Sequence, residues 1–194
     1  MILNLLFTLV SAMDFNSANQ LSKHVVKVLT EGLGGTGFIV SRNYIITNDH
    51  VCRDSMGQIV NMVMVVDIKG REVIGQPVKY KQDHDLCLVR TKTRLNFSGV
   101  EFDKVKEYGE DVFSAGYPHL WFNTTFGKIT GLAAYDQYSI LVLRSNINCQ
   151  PGSSGSPVFN KSGKVIGIVS AVDKAGCYLI PSKYIVRFYE SPKL

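Results

Sequence analysis

Short apolar runs rich in β-branched residues recur along most of the chain, and polar turns separate them. The clearest runs cover residues 25–29, 37–40, 44–47, 62–66, 86–89, 128–132, 140–143, 165–169 and 178–180. Turn-forming residues are concentrated in the intervening segments, for example at residues 41–43 and 160–163. About a dozen strands with turns at such intervals are typical of an all-β sandwich or barrel. We therefore predict an all-β fold.

Helical signals are few and lie near the two ends. Residues 14–23 offer Asp14 or Ser17 as a helix cap, and residues 182–189 carry apolar side chains at helical spacing. The apolar pattern is weakest between residues 91 and 110, where we place the boundary between two lobes. The predicted parts are an N-terminal apolar segment and helix (1–24), a first β lobe (25–100) and a second β lobe with a C-terminal helix (101–194).

The first residues allow two interpretations. Residues 2–13 read ILNLLFTLVSAM, which is too short to span a bilayer as a helix. The segment is similar to the apolar part of a signal peptide with small residues at 10–12 for cleavage, although no Lys or Arg precedes it. The alternative is an apolar helix or strand that packs on the body of the protein. No other stretch is long and apolar enough to predict a transmembrane span.

Composition excludes several classes of protein. The chain has 194 residues, of which 45% are hydrophobic and 19% charged, as expected for a globular protein with a sizeable core. The formal net charge is +5, but the basic residues are scattered rather than clustered. Because nucleic-acid binding usually requires a clustered basic surface, we expect no nucleic-acid partner.

The four cysteines are Cys52, Cys87, Cys149 and Cys177. No two of them are closer than 28 residues, so the chain has no CxxC pair and we expect no metal site. Their content is far below that of a disulfide scaffold. Buried free thiols are the favoured prediction, with one or two disulfides as the alternative.

One glycine-rich motif suggests nucleotide binding but lacks the required context. Residues 32–37 fit the pattern GxGxxG, which binds dinucleotides when it follows a strand and opens a helix. Here the motif leads into an apolar run, a turn and a second apolar run at 44–47, which predicts a hairpin. We therefore expect a tight loop entering a strand, and no cofactor.

Three polar segments carry candidate catalytic chemistry. They read TNDHV at 47–51, DHDLCLV at 83–89 and NCQPGSSGSPV at 148–158. Each alone has a structural explanation, as a strand-end histidine, an acidic turn residue or a small-residue loop. Together they place His50, Asp85 and Ser154 in the chain order of a base, an acid that orients it and a nucleophile. Glycines beside the serine permit a sharp turn and backbone N–H groups that face a developing oxyanion.

These segments resemble those of trypsin-like (chymotrypsin-fold) serine proteases, most closely the HtrA and other bacterial types. The similar motifs are GGTGFIV at 34–40 with YIITNDHV at 44–51, DLCLV at 85–89 and GSSGSP at 152–157. Further similarities are GYP at 116–118, GIVSA at 167–171 and LIPS at 179–182. The resemblance covers nearly the whole chain, and we expect no PDZ domain of the kind that HtrA proteins carry.

The resemblance implies a fold and a set of roles. It implies two perpendicular six-stranded β-barrels, with His50 and Asp85 on the first and Ser154 on the second. His50 is the implied general base, Asp85 its orienting acid and Ser154 the nucleophile, with the N–H groups of Gly152 and Ser154 as the oxyanion hole. The implied function is peptide-bond hydrolysis without a metal or cofactor. The alternative is a catalytically silent or latent peptide-binding module on the same fold.

The resemblance also implies where a protein or peptide substrate binds. The walls of the pocket for the substrate residue before the cleaved bond (P1) are expected at Asn148, Cys149, Ser170, Ala171 and Val172. No carboxylate falls at its base, and the bulk of Val172 favours small or medium apolar P1 residues. Cys177 is expected to approach Cys149 in this fold, which makes a disulfide beside the pocket a hypothesis.

Overall fold

The computed structural model describes residues 15–31, 33–134 and 137–192. The signal-peptide prediction for the first twelve residues lies outside these ranges. The described residues form twelve strands, which we number in chain order: β1 Val25–Thr30, β2 Leu33–Ser41, β3 Tyr44–Thr47, β4 Val63–Val66, β5 Glu72–Lys81, β6 Leu86–Thr91, β7 Asp111–Gly116, β8 Asn123–Ala134, β9 Leu141–Ser145, β10 Pro157–Asn160, β11 Val165–Asp173 and β12 Gly176–Pro181.

The strands close into two antiparallel barrels of six strands each. The first barrel runs β1-β2-β3-β6-β5-β4, and β4 pairs with β1 to close it. The second runs β10-β11-β12-β9-β8-β7, and β7 pairs with β10. Closure leaves neither sheet with an unpaired edge strand. The predicted all-β architecture of two six-stranded barrels is confirmed, and the GxGxxG segment enters β2 rather than a helix.

Three strands lie where the apolar pattern gave no clear run. β5 alternates between buried and exposed residues, but it contains Gly75 and Pro77, and its pairing with β6 shifts register between Pro77 and Lys79. Glycine and proline both weaken a strand pattern in sequence. β7 ends in the small residues SAG, and β10 has only four residues, the first of them proline. Tertiary pairing, rather than local sequence preference, defines these three strands.

The buried side chains form a core inside each barrel and a third one between them. Val28, Ile45 and Val65 are among those that fill the first barrel, and Ile129 and Ile166 among those that fill the second. The third group combines residues of both barrels, including Phe38, Ile46, Leu86, Leu88, Phe113, Phe159, Ile168 and Ile180. Because Leu86 and Leu88 follow the candidate acid on β6, this shared core fixes one side of the candidate site against the second barrel.

Two helices lie at the ends of the described chain, close to the predicted positions. They are α1 Phe15–Ser22 and α2 Ser182–Glu190. Lys79 of β5 caps the end of α2, because its Nζ donates to the carbonyl oxygens of Phe188 and Ser191 at 2.5 and 2.6 Å. In the part of the chain that the structure describes, no helix is long and apolar enough to cross a membrane.

The cysteines are paired, which corrects the prediction of free thiols. Cys149 bonds Cys177, as the resemblance implied, and Cys52 bonds Cys87. Each pair is far apart in sequence, and spacing along a chain does not show which cysteines antiparallel strands bring together. The Cys52–Cys87 bridge joins the segment after His50 to the strand after Asp85.

Candidate active site

His50 lies just after β3, at the start of a single 3-10 turn, His50–Cys52. The residue before it, Asp49, is almost fully buried and accepts two hydrogen bonds from the Arg53 guanidinium, at 2.5 and 3.2 Å. This ion pair within one turn fixes the backbone that carries His50. The imidazole itself is half exposed, with 49% of the side chain accessible, so one face of the ring remains open to a substrate.

Asp85 contacts the His50 ring at Nδ1. Nδ1 of His50 lies 2.9 and 3.0 Å from the two carboxylate oxygens of Asp85, and the His50 backbone N–H donates to Oδ1 at 3.1 Å. With Asp85 as acceptor, Nδ1 is the protonated nitrogen and Nε2 is left as an acceptor. This is the tautomer that a general base needs.

The backbone at Asp85 has a left-handed conformation, with φ of 50° and ψ of 49°. Asp tolerates this region better than most residues, because its short polar side chain bonds locally. The side-chain amide of Asn48 donates to the Asp85 carbonyl oxygen at 3.0 Å and supports the turn. Asp85 is only 4% exposed, and its carboxylate also accepts hydrogen bonds from the hydroxyls of Tyr138 and Ser170.

The surroundings change the basicity of His50. Burial of the ring lowers the pKa of His50, but the hydrogen bond to Asp85 and the negative charges of Asp85 and Asp49 raise it by more. The pKa of His50 therefore lies above its ordinary value of 6.5. His50 in this environment therefore binds a proton more strongly than free imidazole does.

Ser154 lies on the loop between β9 and β10, and Thr36 of β2 holds that loop in place. The Thr36 N–H donates to the Ser154 carbonyl oxygen at 2.8 Å, and its hydroxyl donates to the Gly152 carbonyl oxygen at 2.9 Å. The same hydroxyl accepts from the Tyr117 N–H at 2.9 Å. Thr36 is fully buried, so a residue of the first barrel fixes the loop of the second.

Two glycines allow this loop to pack so closely. Gly152 has φ of +92°, and a Cβ there would lie 2.5 Å from the Tyr117 carbonyl oxygen. Gly155 has φ of +86°, and a Cβ would lie 1.8 Å from the Thr36 carbonyl oxygen. Side chains are excluded from both positions by the backbone conformation and by space.

The loop leaves two adjacent donors unused. Within the described ranges, the N–H groups of Gly152 and Ser154 donate to no protein acceptor, whereas those of Ser153 and Gly155 donate to the carbonyl oxygens of Gln150 and Val169. Buried or half-buried N–H groups normally have a hydrogen-bond acceptor. Two such groups without one, on the same tight turn, can therefore bind an oxygen atom of a ligand.

Neighbouring contacts bring the three candidate residues to one place. A Cβ on Gly35 would lie 2.8 Å from Val51, next to His50, and 3.1 Å from the Ser154 carbonyl oxygen. On the other side, Gly155 donates to Val169, and the next residue, Ser170, bonds Asp85. Among the described residues the Ser154 hydroxyl makes no hydrogen bond to His50, and such bonds often tighten only when substrate is bound.

The alternative hydroxyls and acids are either bonded to other residues or buried away from His50. The Ser153 hydroxyl accepts from the Gln150 N–H at 3.1 Å, and the Ser156 hydroxyl is buried against Gly116. Asp49 pairs with Arg53, and Asp83 is largely exposed and pairs with its own neighbours. Asp85 is thus the acid that contacts His50, and Ser154 is the serine on this loop whose side chain is neither buried nor bonded within the described residues.

The remaining histidines lie apart from this group. Nδ1 of His24 contacts the Ser98 carbonyl oxygen at 2.8 Å, and burial lowers the pKa of His24. His84 packs edge-on against Tyr184. Nε2 of His119 bonds the Gln150 side chain at 3.1 Å and so braces the segment that leads to Gly152.

The residues expected to line the substrate pocket occupy two neighbouring segments. Val172 is half exposed and pairs in register with Cys177, whose sulfur bonds Cys149. Asn148 is exposed beside that bridge, and Ala171 is half-buried. The Ser170 side chain faces Asp85 instead, so only its backbone is available to a pocket wall.

Sequence reasoning missed two residues of the site, Thr36 and Tyr138. Thr36 was part of the glycine-rich motif, yet nothing in that motif indicates contact with a loop more than a hundred residues away. Tyr138 lies in the β8–β9 connection, where no strand or motif singled it out. Its hydroxyl is 3.1 Å from Asp85 Oδ2 only because the two barrels pack together.

Comparison with known proteins gives a consistent picture. A family model described as a trypsin-like peptidase domain matches residues 35–168. A probable periplasmic serine endoprotease, DegP-like, from Rhizobium meliloti is 30% identical over 148 residues, which cover 71% of this chain and 28% of the relative. The chain therefore spans 28% of the length of this relative.

Solved structures share the fold at low identity. The Rv3671c protease from M. tuberculosis in its active form has a TM-score of 0.75 and 21% identity, covering 92% of this chain and 86% of its own. The HtrA-type protease AlgW with a tripeptide has a TM-score of 0.81 and 21% identity, covering 91% of this chain and 62% of its own. These similarities show the shared double-barrel fold.

Proposed function

Since the chain belongs to the family of trypsin-like peptidase domains, we propose that it is a serine endopeptidase that cleaves peptide bonds through an acyl-enzyme. His50 acts as the base, Asp85 orients it, and Ser154 is the nucleophile. The observation that carries this proposal is the buried Asp85 carboxylate on Nδ1 of His50, at 2.9 Å, which leaves Nε2 free to accept a proton. A binding module has no need of an imidazole held in this tautomer.

The reaction follows from these positions. The Ser154 hydroxyl oxygen attacks the carbonyl carbon of the peptide while Nε2 of His50 takes the hydroxyl proton. The C–N bond of the tetrahedral intermediate then breaks, and the proton passes from Nε2 to the leaving amine. His50 next deprotonates a water molecule whose oxygen attacks the acyl carbon. The bond between this carbon and the Ser154 oxygen then breaks, the acid product leaves, and the proton taken from water passes from Nε2 to the Ser154 oxygen. Asp85 stabilises the imidazolium in both halves without accepting its proton.

The unpaired N–H groups of Gly152 and Ser154 are the proposed oxyanion hole. Negative charge forms on the carbonyl oxygen in each tetrahedral intermediate, and fixed donors stabilise it without having to reorganise. The bonds from Thr36 to the carbonyl oxygens of Gly152 and Ser154 support this role, because they fix the backbone of the loop that carries both donors.

We propose small or medium apolar P1 residues as the preferred substrates. The half-exposed Val172 supports this preference, because it pairs with Cys177 beside the Cys149–Cys177 bridge and its branched side chain leaves less room there than a glycine would. Val172→Gly is expected to extend cleavage to larger P1 residues such as Phe. Profiling both forms with a peptide library measures the change, and an unchanged profile would remove Val172 from the pocket.

Cleavage of a mixed peptide library, with fragments identified by mass spectrometry, tests the activity itself. The wild-type chain is expected to produce fragments, and Ser154→Ala none. Ser156→Ala is the matched control, because it removes a buried hydroxyl that has no hydrogen-bond partner among the described residues. Asp85→Asn is expected to lower kcat by about 10⁴ through the wrong imidazole tautomer. A folded wild-type chain that binds peptides but cleaves none would instead be a latent peptide-binding module.

We also propose that the chain folds in an oxidising compartment. Both disulfides are formed between buried or half-buried sulfurs, and such bonds are rare in reducing compartments. Export is consistent with the apolar first residues and with the periplasmic relative named above.

A further inference from the structure

The described part of the connection between β8 and β9, residues 137–140, reaches from the second barrel to the acid of the first. The Tyr138 hydroxyl donates to Asp85 Oδ2 at 3.1 Å and lies 2.6 Å from the Ser170 hydroxyl. At the next residue, the Ser139 N–H donates to the Asp83 carbonyl oxygen at 3.1 Å, and its hydroxyl donates to the Asp83 carboxylate at 3.2 Å. Two consecutive residues, Tyr138 and Ser139, thus attach this connection to Asp85 and Asp83, on either side of His84.

The two oxygens of the Asp85 carboxylate share Nδ1 of His50 but otherwise have different partners. Nδ1 lies 2.9 and 3.0 Å from Oδ1 and Oδ2, the His50 backbone N–H donates to Oδ1, and the hydroxyls of Tyr138 and Ser170 both face Oδ2. A carboxylate that is bonded at both oxygens cannot rotate about its Cβ–Cγ bond without losing a partner. Its orientation toward Nδ1 therefore depends on the groups that hold Oδ2.

We propose that Tyr138 is a positioning residue for the His50–Asp85 pair, and that its hydroxyl fixes the Asp85 carboxylate in the orientation that His50 requires. The β8–β9 connection of the second barrel thereby sets the geometry of the base on the first. This role rests on the proposed peptidase function. Tyr138 acts through Asp85 rather than on the substrate, so its loss affects the chemical step more than substrate binding.

Other charged groups near the pair are already compensated. Asp49 is bonded to Arg53, and Asp83 to Lys81, His84 and Ser139. Removal of the Tyr138 hydroxyl leaves these pairs in place. It takes one donor from Asp85, which makes the carboxylate a stronger partner for protonated His50 and raises the pKa of His50 further.

The test compares Tyr138→Phe with Tyr108→Phe, which removes an exposed hydroxyl on the loop before β7. The rate of inactivation by a fluorophosphonate measures the chemical step. We expect Tyr138→Phe to slow inactivation about 3- to 10-fold. The effect is limited to this size because Ser170 still donates to the charged Asp85 carboxylate when the Tyr138 hydroxyl is lost. KM for a peptide substrate and the melting temperature are expected to match those of Tyr108→Phe. Ser139→Ala, which loosens the same connection without touching Asp85, is expected to give a smaller effect in the same direction.

An NMR titration of His50 gives a result that does not depend on turnover. The titration midpoint of His50 is expected at a higher pH in Tyr138→Phe than in the wild type, and at the wild-type pH in Tyr108→Phe. A wild-type chain that is not labelled at all would contradict the peptidase function, while the titration would still decide the role of Tyr138. Equal midpoints and equal labelling rates in the two Phe variants would overturn the proposal.

Discussion

Among single residues, Asp85 has the most demanding surroundings. Its buried carboxylate is stable only because hydrogen-bond donors surround it. One donor is His50; the others are Tyr138 and Ser170, which lie 53 and 85 residues after Asp85 in the chain. The sequence predicts Asp85 as the acid, since it stands directly before a buried strand and matches a motif. It could not identify Tyr138, because that contact depends on how two barrels pack.

The raised pKa of His50 predicts the pH dependence of the reaction. The base must be neutral to accept a proton, so kcat/KM is expected to rise with pH through a midpoint above 6.5. The contribution of His50 to folding stability changes with pH in the opposite direction. Because the folded state holds the proton more strongly, the contribution of His50 to stability is complete below 6.5 and is lost as pH rises through the folded midpoint.

A pH profile of kcat/KM from pH 5 to 9 measures this midpoint. Asp85→Asn is the control, because removal of the negative charge is expected to move the midpoint to lower pH. A wild-type midpoint at or below 6.5 would contradict the contribution of Asp85 to the basicity of His50.

Thr36→Val tests the support of the nucleophile loop. Valine keeps the shape of threonine but leaves the Gly152 carbonyl oxygen and the Tyr117 N–H without their partner. We expect unfolding free energy to fall by about 2–4 kcal/mol, since two largely buried polar groups become unpaired. We also expect fluorophosphonate labelling to slow about tenfold, because the oxyanion donors are no longer held in place.

The matched control is Thr30→Val at the exposed end of β1, where the hydroxyl makes one bond at 3.3 Å. Chemical denaturation and labelling rates for this variant are expected to equal those of the wild type. If Thr36→Val lost stability but kept the wild-type labelling rate, Thr36 would support the fold and not the oxyanion hole.

Among the structural elements, local sequence identified the strands that are apolar throughout and missed those defined by their partners. β3 and β6 were predicted at nearly their observed bounds because both are largely buried apolar runs. β5 was missed because Gly75 and Pro77 interrupt it, although it pairs with β4 and β6 along most of its length. Pairing of this kind is non-local, so no window of sequence contains the information.

The two disulfides are predicted to stabilise the fold by similar amounts but to differ in their effect on P1 preference. Their sulfurs join residues 35 and 28 positions apart, so loss of either bridge is expected to cost about 3–4 kcal/mol of unfolding free energy. Cys149→Ala with Cys177→Ala is expected to alter P1 preference as well, because Cys177 pairs with Val172. Cys52→Ala with Cys87→Ala is expected to leave P1 preference unchanged. Urea unfolding and library profiling of the two double variants check both points, and altered preference in the second pair would contradict the assignment.

Lys79 of the first barrel bonds the end of the helix α2. Lys79→Met removes the bonds to the Phe188 and Ser191 carbonyl oxygens at the end of the helix, which is expected to cost about 1–2 kcal/mol. Lys81→Met, two residues away on the same strand and largely exposed, is the control and is expected to change stability little. Thermal unfolding of both variants measures the difference; equal melting temperatures would show that α2 needs no such cap.

For the whole molecule, the candidate site exists only where the two barrels meet. The first barrel supplies His50 and Asp85 and holds the nucleophile loop, and the second supplies Ser154 and the hydroxyls around Asp85. Sequence motifs assigned the principal residues to their lobes, because those residues lie in local patterns. The supporting contacts between lobes follow from packing of the shared core and were not predictable from any one segment.

Labelling with a fluorophosphonate, followed by mapping of the adduct by mass spectrometry, tests the central claim most directly. The account predicts one adduct on Ser154, at a rate that rises with pH through the titration of His50, and no adduct in Ser154→Ala. Such an adduct requires a nucleophilic serine, a neutral base and a formed oxyanion hole at the same time. An adduct on Ser153 or Ser156, or no adduct on a chain shown to be folded, would contradict the assigned site.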